Sequence, residues 1–253
     1  MRQKKQQHYT GDRLVLNQKF LVPARIENLA RFNFFIQHAK GLRILDIGCG
    51  IGEGTGYIGQ IDPSKIFFGI DLEFNVIKAA RMQFGSNNVF FTAMDAQRLA
   101  FGNQAFDSII SVEVIEHLSD PEAYLQEASR LLQPGGLFML TTPNRLRSSP
   151  TPGSLWPAHV LEYSLGELTD LLTHFFSKVE MWGEMIPIYE NNIFRRVMHS
   201  LAPVFKPILP KYLRVRSLQS LQMVIKSDLE INDIVFTQDS IEDLPTLVAL
   251  CTK

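Results

Sequence analysis

From residue 43 onward, short apolar runs alternate with helical stretches, and no other feature of this chain restricts its fold as strongly. RILDI (43–47), KIFFGI (65–70), NVFFTA (88–93), FDSIISV (106–112) and LFMLTT (137–142) are β-branched or aromatic and of strand length. Helical segments are expected between them, near 53–60, 74–84 and 121–132. Asp120-Pro121 suits the start of the last, with a capping carboxylate followed by a proline at the first helical position. Gln133-Pro134-Gly135-Gly136 should end it and turn the chain. Apolar strands separated by helices specify a parallel sheet covered on both faces. The expected architecture is therefore a doubly wound α/β fold.

Beyond residue 143 the rhythm changes. NRLRSSPTPGSLWP (144–157) reads as a loop, and Ser164 to Glu167 forms a capping box with Tyr163 and Leu168 as its hydrophobic staple. A helix over 165–175 follows, then a sixth strand, KVEMWGE (178–184), and a seventh, LVALCTK (247–253). The chain thus divides into an N-terminal arm and helix (1–42), a core (43–183), a cap or lid insertion (184–240) and a closing strand (241–253). Within 186–216, Arg195, Arg196, Lys206, Lys211, Arg214 and Arg216 face only Glu190, and Ile193, Phe194, Val197, Met198 and Leu201 mark one apolar helical face. A cap over the crevice is the preferred reading, with peripheral membrane contact as the alternative.

Over its 253 residues, 45% hydrophobic and 20% charged, the composition is ordinary for a globular protein and excludes disorder as the main state. With 25 basic against 26 acidic side chains, the chain lacks the cationic surplus of a dedicated nucleic-acid binder, and no nucleic-acid partner is expected. Two cysteines, Cys49 and Cys251, give no disulfide framework. No apolar run is long enough to span a bilayer, and the basic opening lacks the apolar stretch of a secretory signal. A cytoplasmic location follows as the expectation.

The most informative stretch is Leu45-Asp46-Ile47-Gly48-Cys49-Gly50-Ile51-Gly52-Glu53-Gly54, in which glycines leave a buried strand and lead into a helix. Such a turn lies in the crevice at the carboxyl ends of the strands, where the backbone can approach a ligand closely. A literal G-x-G-x-x-G also occurs, Gly54 to Gly59, but it falls within the expected helix. In the register that starts at Gly48, the third fingerprint position is Glu53, whose charge would oppose a pyrophosphate. The loop suits a nucleoside ligand without phosphates, which disfavours a nicotinamide-dependent oxidoreductase.

These residues carry a resemblance to a known family. ILDIGCGIGEGT, FGIDLE, MDAQRL and FDSIISVEVIEHLSDPEAYLQEASRLLQPGGLFMLTTPN, in that order, are similar to the class I S-adenosylmethionine (SAM)-dependent methyltransferases of the type 11 subgroup. The resemblance is strong over 43–145 and weak over 159–183. It implies a Rossmann-like, mostly parallel seven-stranded sheet with a helical cap, and SAM as cofactor with S-adenosylhomocysteine as product. It further implies that Gly48, Cys49, Gly50 and Gly52 approach the methionyl part of SAM, with Asp46 attracting its ammonium group. By the same resemblance Asp71 accepts the ribose hydroxyls, Leu72 packs on adenine, Asp95 and Ala96 lie by the adenine amine, and Val112 and Glu113 line the pocket near the sulfonium.

Methyl transfer to a hydroxyl gains from a general base, by roughly 10² to 10⁴-fold. Glu116 and His117, just after the fourth strand, are the first candidates, because carboxylates and imidazoles are the usual proton acceptors. His159, with Glu162 in PAHVLEYS, is the second. The ordinary alternative is that these groups only order their loops. Glu113, Glu116 and His117 also match an E-x-x-E-H cluster implicated in cation binding in some ubiquinone-pathway relatives. A hard cation would want more oxygen ligands, so no metal is expected. The acceptor is expected to be a small molecule, a hydroxyl of a sugar or glycan precursor, with a quinone, phenol or polyketide as alternative. A SAM-binding scaffold without turnover is the non-enzymatic alternative. Oligomeric state is not legible.

Overall fold

The computed structural model describes residues 22–148, 158–186 and 229–253. Its elements run α1 (Val22–His38), β1 (Arg43–Ile47), α2 (Glu53–Ile61), β2 (Ile66–Asp71), α3 (Phe74–Phe84), β3 (Val89–Ala93), β4 (Phe106–Val112), α4 (Pro121–Leu131) and β5 (Leu132–Pro143). A short α5 (Arg145–Ser148), then α6 (Leu165–Thr173), β6 (Lys178–Met185), β7 (Val235–Thr237) and β8 (Thr246–Thr252) complete them. The strands form one sheet in the order β3-β2-β1-β4-β5-β8-β6-β7. β1 to β5 pair in parallel, whereas β8 runs antiparallel between β5 and β6.

Alternation along each strand divides the core into two layers. Leu45, Ile47, Ile109, Phe138 and Leu140 point to one face, where Tyr124, Leu125 and Leu131 of α4 and Leu168 and Leu172 of α6 meet them. Ile44, Phe67, Ile110 and Met139 point to the other and pack on Phe32 and Phe35 of α1, Ile58 of α2 and Ile77 of α3. Both faces are therefore covered by helices, which explains why the strand sequences are apolar at nearly every position. The helix signals behave as read. Asp120 Oδ1 accepts from the Ala123 N–H at 2.9 Å to start α4, and Ser164 and Glu167 close a reciprocal capping box at α6. Tyr163 and Leu168, the expected staple, are both buried in the same cluster.

Three expectations need revision. The sheet has eight strands, not seven: Val235-Phe236-Thr237 pairs antiparallel with Gly183–Met185 of β6. This edge strand lies inside the range assigned to the insertion (184–240), and at three residues it is too short to announce itself by alternation. Gln133–Gly136 does not separate α4 from the next strand; it is absorbed into β5 as an irregularity, with the register against β4 shifting between Phe106 and Ser108. Gly135 accommodates it at φ +75°. Finally, α6 ends at Thr173, two residues early. The arm over 1–20, much of the 144–157 loop and the basic amphipathic stretch in 186–216 fall outside the described residues. Among those described, no helix is long and apolar enough to cross a membrane.

Candidate active site

The crevice opens where β1, β2 and β4 end, and its two walls are built differently. On one side the backbone does the work. Gly48, Gly50 and Gly52 all have positive φ, between +55° and +81°, a conformation that side chains disfavour. Packing adds a second reason at two of them. A Cβ on Gly48 would come 2.4 Å from Val114 Cγ2, and one on Gly52 would come 2.7 Å from the Phe91 ring. At Gly50 nothing lies within 4 Å, so this glycine borders open space. The loop is fastened to β2: the N–H groups of Gly48 and Cys49 both donate to the Ile70 carbonyl at 2.8 Å. Cys49 turns its sulfur toward Gly69 and contributes backbone to the turn. The second glycine triplet, Gly54, Gly56 and Gly59, sits inside α2 and lets Phe32, Phe84 and Val89 pack against that helix.

Two carboxylates flank this loop. Asp46 is buried; Thr55 Oγ1 donates to its Oδ2 at 2.5 Å, while its Oδ1 has no hydrogen-bond partner among the described residues. Burial, only partly offset by the Thr55 bond, pushes its carboxyl up to about 7. Asp71, at the end of β2, accepts from the Gly50 N–H at 3.1 Å and the Glu73 N–H at 2.9 Å. Its neighbour Leu72 presents an exposed apolar side chain. Asp95 lies farther along the rim, where its Oδ1 accepts from the Gln97 N–H at 2.9 Å, and Ala96 packs on the core beneath. Glu53, the position that disfavoured a pyrophosphate, starts α2 and pairs with Arg25 of α1 at 2.5 Å.

The other wall is made of side chains after β4. Val112 ends the strand, and Glu113 follows with φ +54°, an uncommon conformation for a glutamate. Thr141 Oγ1 donates to Glu113 Oε1 at 2.9 Å. A 3₁₀ turn, Ile115–His117, carries the next two groups. Glu116 is fully buried; Thr142 Oγ1 donates to its Oε2 at 2.9 Å, and its Oε1 has no hydrogen-bond partner among the described residues. Burial, followed by the Glu113 charge, holds its carboxyl well above the usual range. Fully buried and held by Thr142, Glu116 is not an accessible group, so the expectation that it acts as a base does not fit its surroundings.

His117 is the accessible member of the pair. Its Nδ1 lies 3.0 Å from the Ala158 carbonyl. A carbonyl only accepts, so Nδ1 carries the hydrogen and the neutral ring keeps its lone pair on Nε2. His159 has the same arrangement, its Nδ1 lying 2.6 Å from Oε1 of the buried Glu162. The two rings are 5.0 Å apart, centroid to centroid. Ligand atoms of Glu116, His117 and His159 lie within 4.8 Å of one another, so these three could meet a cation, whereas Glu113 of the sequence-derived cluster turns to Thr141 and Arg31. The backbone makes the meeting of the two segments possible: the Val160 and Leu161 N–H groups both donate to the Glu116 carbonyl. Sequence spacing gives no hint of Arg31, which is buried on α1 and reaches both Glu184 and Glu113. The only visible signal is an arginine in an otherwise apolar helical face.

Residues 45–140 match the model of a methyltransferase domain family. This segment is similar to a methyltransferase domain. Among relatives of that domain, a probable S-adenosylmethionine-dependent methyltransferase of Mycolicibacterium smegmatis is 33% identical over 135 residues, covering 52% of this chain and 50% of its own. A ubiquinone biosynthesis O-methyltransferase of Dinoroseobacter shibae is 32% identical over 126 residues, covering 49% and 50%. The chain thus spans about half the length of the curated relatives it matches. Among solved structures, a SAM-dependent methyltransferase of Thermotoga maritima, described as a possible histamine N-methyltransferase, superposes with a TM-score of 0.61 at 19% identity, covering 93% of both chains. At that identity the likeness shows a shared fold.

Proposed function

We propose that this protein transfers a methyl group from SAM to a hydroxyl of a small-molecule acceptor. The observation that carries the donor half is the conjunction at the end of β1: an open glycine at φ +55°, a buried carboxylate with an unpartnered oxygen, and a second carboxylate at the end of the next strand. This is what a ligand with an ammonium group and a ribose requires, and it offers nothing to a pyrophosphate. Asp46 Oδ1 would receive the ammonium, which also favours the ionised carboxylate. Asp71 would receive the ribose hydroxyls, Leu72 the adenine face, and Asp95 and Ala96 its amine edge. Val112 and Glu113 would stand nearest the sulfur.

When bound, SAM supplies a methyl carbon already activated by positive sulfur. The chain's own task is to hold the acceptor oxygen in line and to take its proton. His117 Nε2 is suited to the proton: its lone pair is available because Ala158 holds the hydrogen on Nδ1. His159, held in the same tautomer by Glu162, backs it. Buried Glu116 orders the turn through Thr142 and its own carbonyl.

The oxygen acceptor is supported by this base and by the name of the Dinoroseobacter relative, which favours a phenolic acceptor. A sugar or glycan precursor is the other acceptor class, supported only by the weak resemblance over 159–183. The core over 43–183 with β8, capped by the insertion, is the proposed division of labour. Purified protein should bind SAM in the micromolar range, about −8 kcal/mol, and form S-adenosylhomocysteine with one of two acceptor panels, catechols and phenols or free sugars. Binding without turnover on either panel would favour a SAM-binding scaffold; no binding at all would sink the reading.

A further inference from the structure

Helix α1 reaches both walls of the crevice. Arg25 pairs with Glu53 at the start of α2, and two turns later Arg31 reaches the end of β4. Arg31 is buried, and its guanidinium is fully engaged. Nε donates to Glu184 Oε2 at 2.5 Å, Nη2 donates to Glu184 Oε1 at 3.2 Å and to Thr246 Oγ1 at 3.4 Å, and Nη1 lies 3.4 Å from Glu113 Oε1. Burial works against its charge, but Glu184 and Glu113 outweigh that and hold the guanidinium more firmly protonated than usual.

The engagement is uneven. Arg31 pairs directly with two carboxylates, Glu184 and Glu113, and a third, Glu27, adds to the field around it. Glu184, on β6, is buried and takes the two-pronged contact that guanidinium and carboxylate geometry favours. Glu113 is a third exposed and takes a single longer contact, with Thr141 holding the same oxygen. Glu113 is thus the less engaged of the two ion-pair partners, and it directly follows the end of β4. It stands one residue from Val114, the side chain against which Gly48 is packed. It also occupies left-handed backbone, which costs a non-glycine residue energy and persists where surrounding contacts enforce it.

We propose that Arg31 is a positioning residue that fixes the Glu113 carboxylate beside the donor sulfur, so that the site favours the positively charged donor over its neutral demethylated product. This rests on the SAM reading above. The two ligands differ there by one methyl and one charge, so a fixed carboxylate distinguishes them and promotes exchange of product for fresh donor. An arginine is needed because its planar fork spans Glu184 and Glu113 at once; a lysine ammonium serves one and releases the other.

The test is isothermal titration of the full chain with SAM and with S-adenosylhomocysteine, read as the ratio of the two dissociation constants. Glu113→Gln should shift the ratio against SAM by about fivefold to tenfold, the scale of one partly exposed charge contact. Arg31→Lys should shift it the same way, and the double variant should shift it no further than Glu113→Gln alone. Thr141→Val frees the same oxygen without touching the buried pair, and should give a smaller shift of the same sign even if Arg31→Lys does not fold. A ratio unchanged in Glu113→Gln, or unchanged in both Arg31→Lys and Thr141→Val while melting temperature falls, would overturn the proposal and leave Arg31 a purely structural cation. If the unaltered protein binds neither ligand, the donor reading has failed instead, and the two failures are told apart.

Discussion

The two walls of the crevice differ in what they are made of. The β1–α2 wall is backbone: three glycines in left-handed conformation, fastened to β2 through the Ile70 carbonyl and the Asp71 carboxylate. The β4 wall is side chains, Glu113, Glu116 and His117, completed by His159 from 42 residues farther along and by Arg31 from the opposite end. A backbone wall must keep its residue types in one contiguous run, because conformation is local. A side-chain wall can draw its parts from anywhere the sheet brings together. Under the proposed function the first would recognise the constant donor, and the second could be rebuilt for a new acceptor while the first stays unchanged.

The sharpest way to break this contrast is to strike the side-chain wall alone. His117→Ala should lower turnover on a hydroxyl acceptor by roughly 10² to 10⁴-fold, with SAM affinity changed only a few fold. Parallel losses in titration and turnover would make His117 an ordering residue and dissolve the distinction. On the backbone wall the largest effect should be a pH effect at Asp46. Burial raises its carboxyl from 3.8 to about 7, so between those limits the folded protein holds a proton that the unfolded chain has lost. Its contribution to stability is thus complete below about pH 4 and lost as pH rises through 7. Asp46→Asn should melt higher than the unaltered protein at pH 8, by roughly 2–4 kcal/mol, and show no such advantage at pH 4. It should also abolish the rise in SAM affinity expected between pH 6 and pH 8. Melting curves that run parallel across this range would mean that Asp46 is already ionised.

Asp71→Ala should weaken SAM binding by about 1.5–3 kcal/mol, part of it through loss of the Gly50 N–H acceptor. Gly54→Ala, in the helix that follows the loop, provides the contrast. Its new Cβ would come 2.1 Å from the Phe32 ring, so a stability loss of roughly 1–3 kcal/mol is expected. SAM affinity of the remaining folded protein should be unaffected, because that glycine serves packing. A large affinity loss in Gly54→Ala would reinstate the second glycine triplet as a ligand loop.

The same contrast explains what could be read from the sequence. The strands, the three helices between them, the caps at Asp120 and Ser164 and the glycine turn depend on neighbours within a few residues, and they stand where the residues indicated. β7 was invisible because three residues carry no period, and its pairing with β6 depends on a chain segment some 50 residues away. Glu116 read as a candidate base because its spacing resembles one; only the packed structure shows that it is fully buried, with burial and the Glu113 charge raising its carboxyl. Arg31 read as one more helical arginine. Its role depends on Glu184 and Glu113, 153 and 82 residues distant, and no local rule connects them.

The place of β8 carries a consequence for how the chain is made. Thr246–Thr252 is the last of the described strands in chain order, yet it lies inside the sheet, between β5 and β6. While the chain is being made, β1 to β5 can pair in parallel, but the β6–β7 pair joins them only once β8 is available. Throughout that interval β5 presents a bare edge of apolar residues, Leu137 to Leu140, of the kind that pairs with a neighbouring chain. Fragments ending before residue 246 should therefore be sticky, and a slow late step in refolding should coincide with burial of Trp182, which sits on β6 beside Val248.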